Sequence, residues 1–305
     1  MTRRNTRPMA AAMLPEHRQL PILVTVAGIA LFAAMDAFMK SAAIAVGAYS
    51  ALVLRTAIGF AVVAPFWLGL GGRWPARHVL RIHLKRGIVV AFMALTFFFA
   101  LVRLPLAEAI ALSFVAPLIA LYLAAILLGE TIERRAVIAA LLGLAGVVVI
   151  VTGKLGTQEL DRDAVLGLSA MAFSTLLYAW NLVIQREQAL VARPLEVATF
   201  QNGVVTLTLL PLAPLLFIVP DPAAWRDIGA AALLATGAAI ALAWAYARAE
   251  TQVLLPIEYS AFLWAALFGW LFFREELGPG TVAGAALIVV GCWIAARRRP
   301  EQSAL

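Results

Sequence analysis

Cysteine is nearly missing from this chain, with one residue in 305, and lysine and histidine are almost as rare at three each. The single thiol, Cys292, excludes a disulfide framework and a thiolate metal cluster. His17, His78 and His83 all fall outside the apolar runs, which removes a membrane-embedded Ser/His dyad and an H-E-x-x-H zinc site. No G-x-x-x-x-G-K-S/T loop occurs, so nothing in the sequence couples it directly to ATP, and no cofactor or metal motif is present. Asn-x-Ser/Thr sequons are absent too. These absences speak against an enzyme. Charge is also scarce, at 13% of residues against about 25% in an ordinary soluble domain.

What fills the chain is apolar: 63% hydrophobic residues and a mean hydropathy of +0.93. Such a chain has too little polar surface to cover itself in water, and disordered or fibrous classes fail for the same reason. Roughly 190 apolar residues, at about 20 per span, amount to about ten membrane helices. The expected fold class is therefore an all-α polytopic membrane protein.

Apolar runs bounded by charge, Gly or Pro predict helices over 20–40, 48–70, 87–102, 106–128, 136–152, 165–185, 196–218, 228–247, 253–273 and 280–296. The shortest, 87–102, covers about 24 Å of a roughly 30 Å hydrocarbon core. Segment 1–19 is a charged tail with no apolar core, which is not the pattern of a cleavable signal peptide. The net charge of +7 is not a nucleic-acid signature, because nearly all of the basic residues sit between the runs. With the N-terminus in the cytoplasm, 17 of the 24 basic residues lie inside and 6 outside, and Arg55 is within a span. That asymmetry predicts both termini on the cytoplasmic side. The 21 Arg to 3 Lys and abundant Ala fit a bacterial gene of high GC content.

The chain repeats itself. Arg103 and Arg248, Glu130 and Glu275, Gly146 and Gly291, and Asp36 and Asn181 are each 145 residues apart. This divides the chain into a tail at 1–19, a first unit at 20–152, a connection at 153–164, a second unit at 165–297 and a tail at 298–305. Five spans per unit, an odd number, force the second unit upside down in the bilayer, and inverted repeats are a mark of secondary transporters.

The stretch ALVRLPLAEAIALSFVAPLIALYLAAILLGETI, Ala100 to Ile132, resembles the third and fourth helices of EamA-type transporters of the drug/metabolite transporter (DMT) superfamily. Residues Ala48 to Arg55 resemble that family's second-helix entry, Gly143 to Gly146 its small-residue fifth helix, and the pattern returns from Pro194 to Gly291. The resemblance covers about residues 20–297, and among family members the YddG-type bacterial amino-acid exporters are the nearest in kind. It implies a ten-helix bundle in the bacterial inner membrane, a central cavity between the halves, and export of small metabolites. Two departures stand out: Gln201 takes the place of Arg55 in the second unit, and Phe262 that of Pro117.

Ionisable groups inside a bilayer are costly and therefore candidates for function. Asp36 and Lys40, four apart on the first helix, share a face. They read either as a gate or substrate-ammonium site, or as an ion pair capping the helix at the interface. Arg55 is placed to hold a substrate carboxylate, or to pair with Asp36 or backbone carbonyls. Glu258 follows Pro256, whose missing N–H loosens that turn. It reads as a group for a substrate amine or a proton, or as an interfacial side chain reaching water. Glu108 is expected at the headgroups or outer mouth, and Glu130 and Glu275 as interfacial helix ends.

Phe97, Phe98 and Phe99, Tyr178, Trp180, Asn181, Trp244, Tyr246, Tyr259 and Trp264 supply rings and amides. Trp180, Asn181 and Trp244 lie mid-span, where an interfacial aromatic belt does not account for them, and a cavity for amphipathic or aromatic solutes is expected. Gly143, Gly146, Gly284 and Gly291 predict close packing of the fifth and tenth helices. The expected substrates are amino acids, aromatic ones included. A broad-specificity drug or toxic-metabolite exporter, a nucleobase or sugar-derivative carrier, and a channel are the competing readings, and a channel lacks a filter sequence. Membrane lipids and a small-molecule substrate are the expected partners, with protons a candidate coupling ion. Monomer and homodimer are both compatible with the sequence.

Overall fold

The computed structural model describes residues 15–116, 119, 134–155, 162–189, 191–246 and 260–296. Among them every regular element is helical. The segment Pro15–Gly69 is two helices, α1 (15–46) and α2 (48–69), that meet at Gly47. There φ is 79°, a left-handed value that glycine adopts without a Cβ clash. The turn is pinned to the far unit, because Tyr49 Oη donates to the Leu209 carbonyl at 2.6 Å and Ser50 Oγ accepts from Ile218 N at 2.9 Å.

The remaining helices are α3 (Arg77–Leu101), α4 (Leu106–Ser113), α5 (Arg134–Leu155), α6 (Arg162–Ala189), α7 (Pro194–Leu209), α8 (Pro222–Tyr246), α9 (Ala261–Phe273) and α10 (Pro279–Ala296). Pro194, Pro222 and Pro279 each open a helix, the position at which the missing N–H costs nothing. Helix α7 runs on through a 3₁₀ turn, Leu210–Leu212, and Ala213–Leu216. The stretches Leu20–Gly69, Arg77–Leu101, Arg162–Gln185, Pro194–Leu216 and Pro222–Leu242 are long and apolar enough to cross a membrane, and the first holds two helices. Exposed Leu23, Phe66, Leu141, Leu207 and Leu263 coat the outside, which in a membrane protein is the lipid face.

Helix packing shows the two repeats. Helix α1 lies on α8, with Gly28 against Leu242, Gly237 against Leu31, and Ser41 Oγ donating to Asp227 at 2.6 Å. Helix α6 lies on α3 in the same antiparallel way, with Ser174 Oγ donating to the Met93 carbonyl at 2.9 Å and Gly167 against Arg103. Helix α1 also meets α9, as α6 meets α4. Helices α2 and α7, α4 and α9, and α5 and α10 pack on their own counterparts. Exchanging each helix of the first five for the corresponding one of the second leaves this set of partners unchanged. The fold is all-α, with ten membrane helices in two inverted five-helix repeats.

Helix α3 begins at Arg77, ten residues ahead of the expected 87. Its early charges divide by face: Arg77, Arg81 and Lys85 are exposed, whereas His83 and Arg86 turn inward with Val79, Val90, Ala94 and Phe98. The run therefore has no length deficit. At α5–α10 the close approach falls on Gly146 and Gly284, where a Cβ on either would sit 2.5 Å from the other's carbonyl oxygen. Gly153 and Gly280 also meet there.

Candidate functional site

Asp36 of α1 is buried, and its electrostatic neighbour is Arg55 of α2. The Arg55 guanidinium is 6.0 Å from the Phe98 ring centre on α3, and Phe97 sets its ring edgewise to Phe98 at 5.3 Å. Arg55 Nε is buried with no hydrogen-bond partner among the described residues. A half-buried cation, a carboxylate and two rings from three helices thus converge within the first repeat.

Lys40, one turn beyond Asp36, directs its ammonium elsewhere. It forms an ion pair with Glu275 Oε1, donates to the Leu104 carbonyl at 2.8 Å and lies 5.0 Å from the Phe273 ring centre. Glu275 Oε2 accepts from Leu106 N at 2.7 Å. Local backbone geometry sets this up. Arg274 ends α9 in the left-handed region (φ 57°), which turns Glu275 back beneath Gly269, and Glu275 N donates to the Gly269 carbonyl. A side chain at Gly269 would collide with the carboxylate, since a Cβ there would lie 2.7 Å from Oε2. Glu275 is therefore no simple interfacial helix end: one carboxylate ties α1 and the start of α4 to the α9–α10 connection, across the two repeats.

A second polar cluster lies toward the face that carries the 70–76 turn. Arg86 Nε donates to Asn181 Oδ1 at 3.0 Å, its Nη2 donates to Gln185 Oε1 at 3.0 Å, and its Nη1 donates to Gln188 Oε1. His83 pairs with Glu196 at 3.0 Å and with Gln188 at 2.6 Å, and stacks on Phe200 at 4.7 Å. Tyr178 is an electrostatic neighbour of Arg86. His83, Arg86, Asn181 and Gln188 are all buried. Each of the three guanidinium nitrogens thus donates to one amide oxygen, and Asn181 Oδ1 is one of these acceptors.

Trp180, expected in a central cavity, is 43% exposed and lines an outer groove between α3 and α6. Its neighbour Asn181 faces the bundle because successive helical positions are about 100° apart. Glu108, expected at the headgroups, is buried between α4 and α10, where Thr281 Oγ1 donates to it at 3.1 Å. Trp244 is half-buried on α8, and Trp264 stacks on Phe268 at 6.2 Å. Glu258, Tyr259, Pro256 and Glu130 lie outside the described residues, as does the side chain of Tyr246.

Sequence reasoning missed Glu275, His83 and Arg86 as interior groups. The spacing of Arg86 three after His83, matched by Asn181, Gln185 and Gln188 on α6, is the signal for two facing polar stripes. Cutting the third helix at its charges hid it.

A model of the EamA-like transporter family matches residues 19–152 and 165–297. The pseudopaline exporter CntI of Pseudomonas aeruginosa is 28% identical over 276 residues, 89% of this chain and 94% of that one. An uncharacterized transporter of Helicobacter pylori is 27% identical over 213 residues, 67% of this chain and 69% of that one. A solved crystal structure with 24% identity superposes with a TM-score of 0.62 over 90% of this chain and 96% of its own. It shares the fold. The family match takes in nearly all of both repeats, and this multi-pass membrane transporter belongs to the EamA-like transporter family.

Proposed function

We propose that the protein is a secondary transporter that exports small metabolites by alternating access around a central cavity between the repeats, with amino acids, aromatic ones included, as substrates. The observation that carries this reading is the Asp36–Arg55–Phe98 convergence. Arg55 offers its unbonded Nε to a carboxylate, Asp36 offers an anion to an ammonium, and Phe97 and Phe98 offer ring faces to an apolar side chain. A zwitterion with a hydrophobic side chain matches that set. Tyr178, Trp244 and Tyr259 complete the cavity in this reading, with Glu258 beside it as a group for a proton or the substrate amine. The outward direction is supported by the exporter among the relatives.

The test is flux from liposomes loaded with labelled phenylalanine or tryptophan. Saturable efflux and counterflow are expected, and Arg55→Gln and Asp36→Asn should each abolish them while the protein stays in the membrane. Flux that never saturates, or that survives both substitutions, removes the assignment.

We also place both termini in the cytoplasm, on the 17-to-6 basic asymmetry. In a Cys292→Ser background, Asp161→Cys should react with an impermeant thiol reagent added outside, and Arg77→Cys should not. The opposite pattern inverts the topology.

A further inference from the structure

Lys85, Ile88, Val89 and Phe92 of α3 and Phe173, Leu177 and Trp180 of α6 line a groove of about 360 Å³ on the outer face of the bundle. Its lining is apolar, and the Lys85 ammonium stands at one end of it. Arg77, Arg81 and Lys85 recur every four residues on α3 and all are exposed, so they form one stripe that leads to Ile88 and Phe92, also exposed. The Lys85 ammonium lies 5.7 Å from the Trp180 ring centre. At 1.5 Å per residue, the basic stripe is about 12 Å long and the apolar stretch from Lys85 to Phe92 adds about 10 Å. Among the described residues of α3 and α6, Glu187, seven residues past Trp180, is the exposed carboxylate toward the same end, against the three bases of the stripe.

We propose that this groove is a binding site for one anionic phospholipid, with its phosphate on Arg81 and Lys85 and an acyl chain along Ile88, Phe92, Phe173 and Leu177. Three features together select that ligand. The groove runs between two helices long and apolar enough to cross a membrane, its apolar walls suit a hydrocarbon chain, and its basic end is the charged N-terminal end of α3. Basic pockets between membrane helices recognise anionic head groups in this way. A zwitterionic lipid fits the walls equally well and gains nothing from the stripe. Trp180 joins the two parts, with its ring against the chain and Lys85 above it. The site is independent of the transported substrate.

Trp180 is one of eight tryptophans, so its fluorescence is read as the difference between the wild type and Trp180→Phe. The protein is reconstituted in phosphatidylcholine liposomes containing an equal small fraction of bromine-labelled phosphatidylglycerol or bromine-labelled phosphatidylcholine. Phosphatidylglycerol should quench the Trp180 component at lower mole fraction, by about fivefold for each basic side chain engaged. Lys85→Gln, and more completely Arg81→Gln with Lys85→Gln, should erase that preference. Quenching of the other tryptophans should not change, which shows that the fold is intact. Equal quenching by the two lipids, or a preference that survives both substitutions, overturns the proposal in favour of ordinary annular lipid. Absence of quenching by either lipid overturns it in favour of a second protein surface covering the groove.

Discussion

The buried Lys40 of α1 and the half-buried Glu275 of the α9–α10 connection form an ion pair, and the same carboxylate takes the N–H of Leu106. Two groups far apart in sequence, one from each repeat, are thereby locked at the face that carries Gly47. Removing Glu275 leaves the buried Lys40 ammonium without its counter-charge, at a cost below the roughly 3–5 kcal/mol of a fully buried pair because Glu275 reaches solvent, whereas replacing both by apolar groups is often neutral. Lys40→Met and Glu275→Gln should each lower the thermal unfolding midpoint in detergent, and Lys40→Met with Glu275→Leu should recover most of the loss. Simple addition of the two single effects in the double variant would show that the pair is not coupled.

Asn181 gives a sharper contrast, because the sequence places it in a substrate chamber and the structure places it on Arg86. Asn181→Leu deprives a buried guanidinium of one of three acceptors, a loss of about 1–3 kcal/mol. The expected result is lower thermal stability with unchanged ranking of competing amino acids in an efflux assay. A changed ranking at unchanged stability returns Asn181 to the chamber.

The α5–α10 contact is set by the two glycines that face each other, Gly146 and Gly284. In Gly284→Val, a Cβ 2.5 Å from the Gly146 carbonyl oxygen forces the helices apart, at about 1–3 kcal/mol for overpacking. Gly229, also helical, has nothing within 4 Å of a built Cβ. Gly229→Ala should gain a few tenths to about 1 kcal/mol from helix propensity. Opposite shifts in the unfolding midpoint check both values, and two shifts of the same sign contradict the packing argument.

The number of helices, the repeat and the short loops were legible in the sequence because lipid imposes one rule on every span: long apolar runs end where charge begins. Depth within the bundle was less legible for the same reason. In water an apolar stripe marks the inside, but here both the core and the lipid face are apolar, and the sequence does not separate Trp180, on the outside, from Phe98, on the inside. Charge misled at α3, where a run of basic residues reads as loop although two faces of one helix carry them. Glu275 was hidden because its role depends on the left-handed turn at Arg274, which has no sequence signature comparable to that of glycine.

Coupling of export to a proton gradient is a separate question from substrate binding, and Glu258 is the carboxylate we single out for it. Export driven by a proton gradient needs an acid that meets both sides in turn and is not held by fixed partners. Asp36 stands beside Arg55 at the proposed substrate site, and Glu108 accepts from Thr281. Glu258 follows Pro256 by two residues and has no basic residue within a helical turn of it in the sequence, so nothing local commits its charge. We therefore expect Glu258→Gln to keep substrate exchange across liposomes near the wild-type rate while losing the acceleration that an imposed pH gradient gives the wild type. Exchange and driven efflux separate the roles, since a lost binding group would depress both. If wild-type efflux ignores the gradient, the protein is a facilitator, and the same substitution then tests Glu258 only as a ligand for the substrate ammonium.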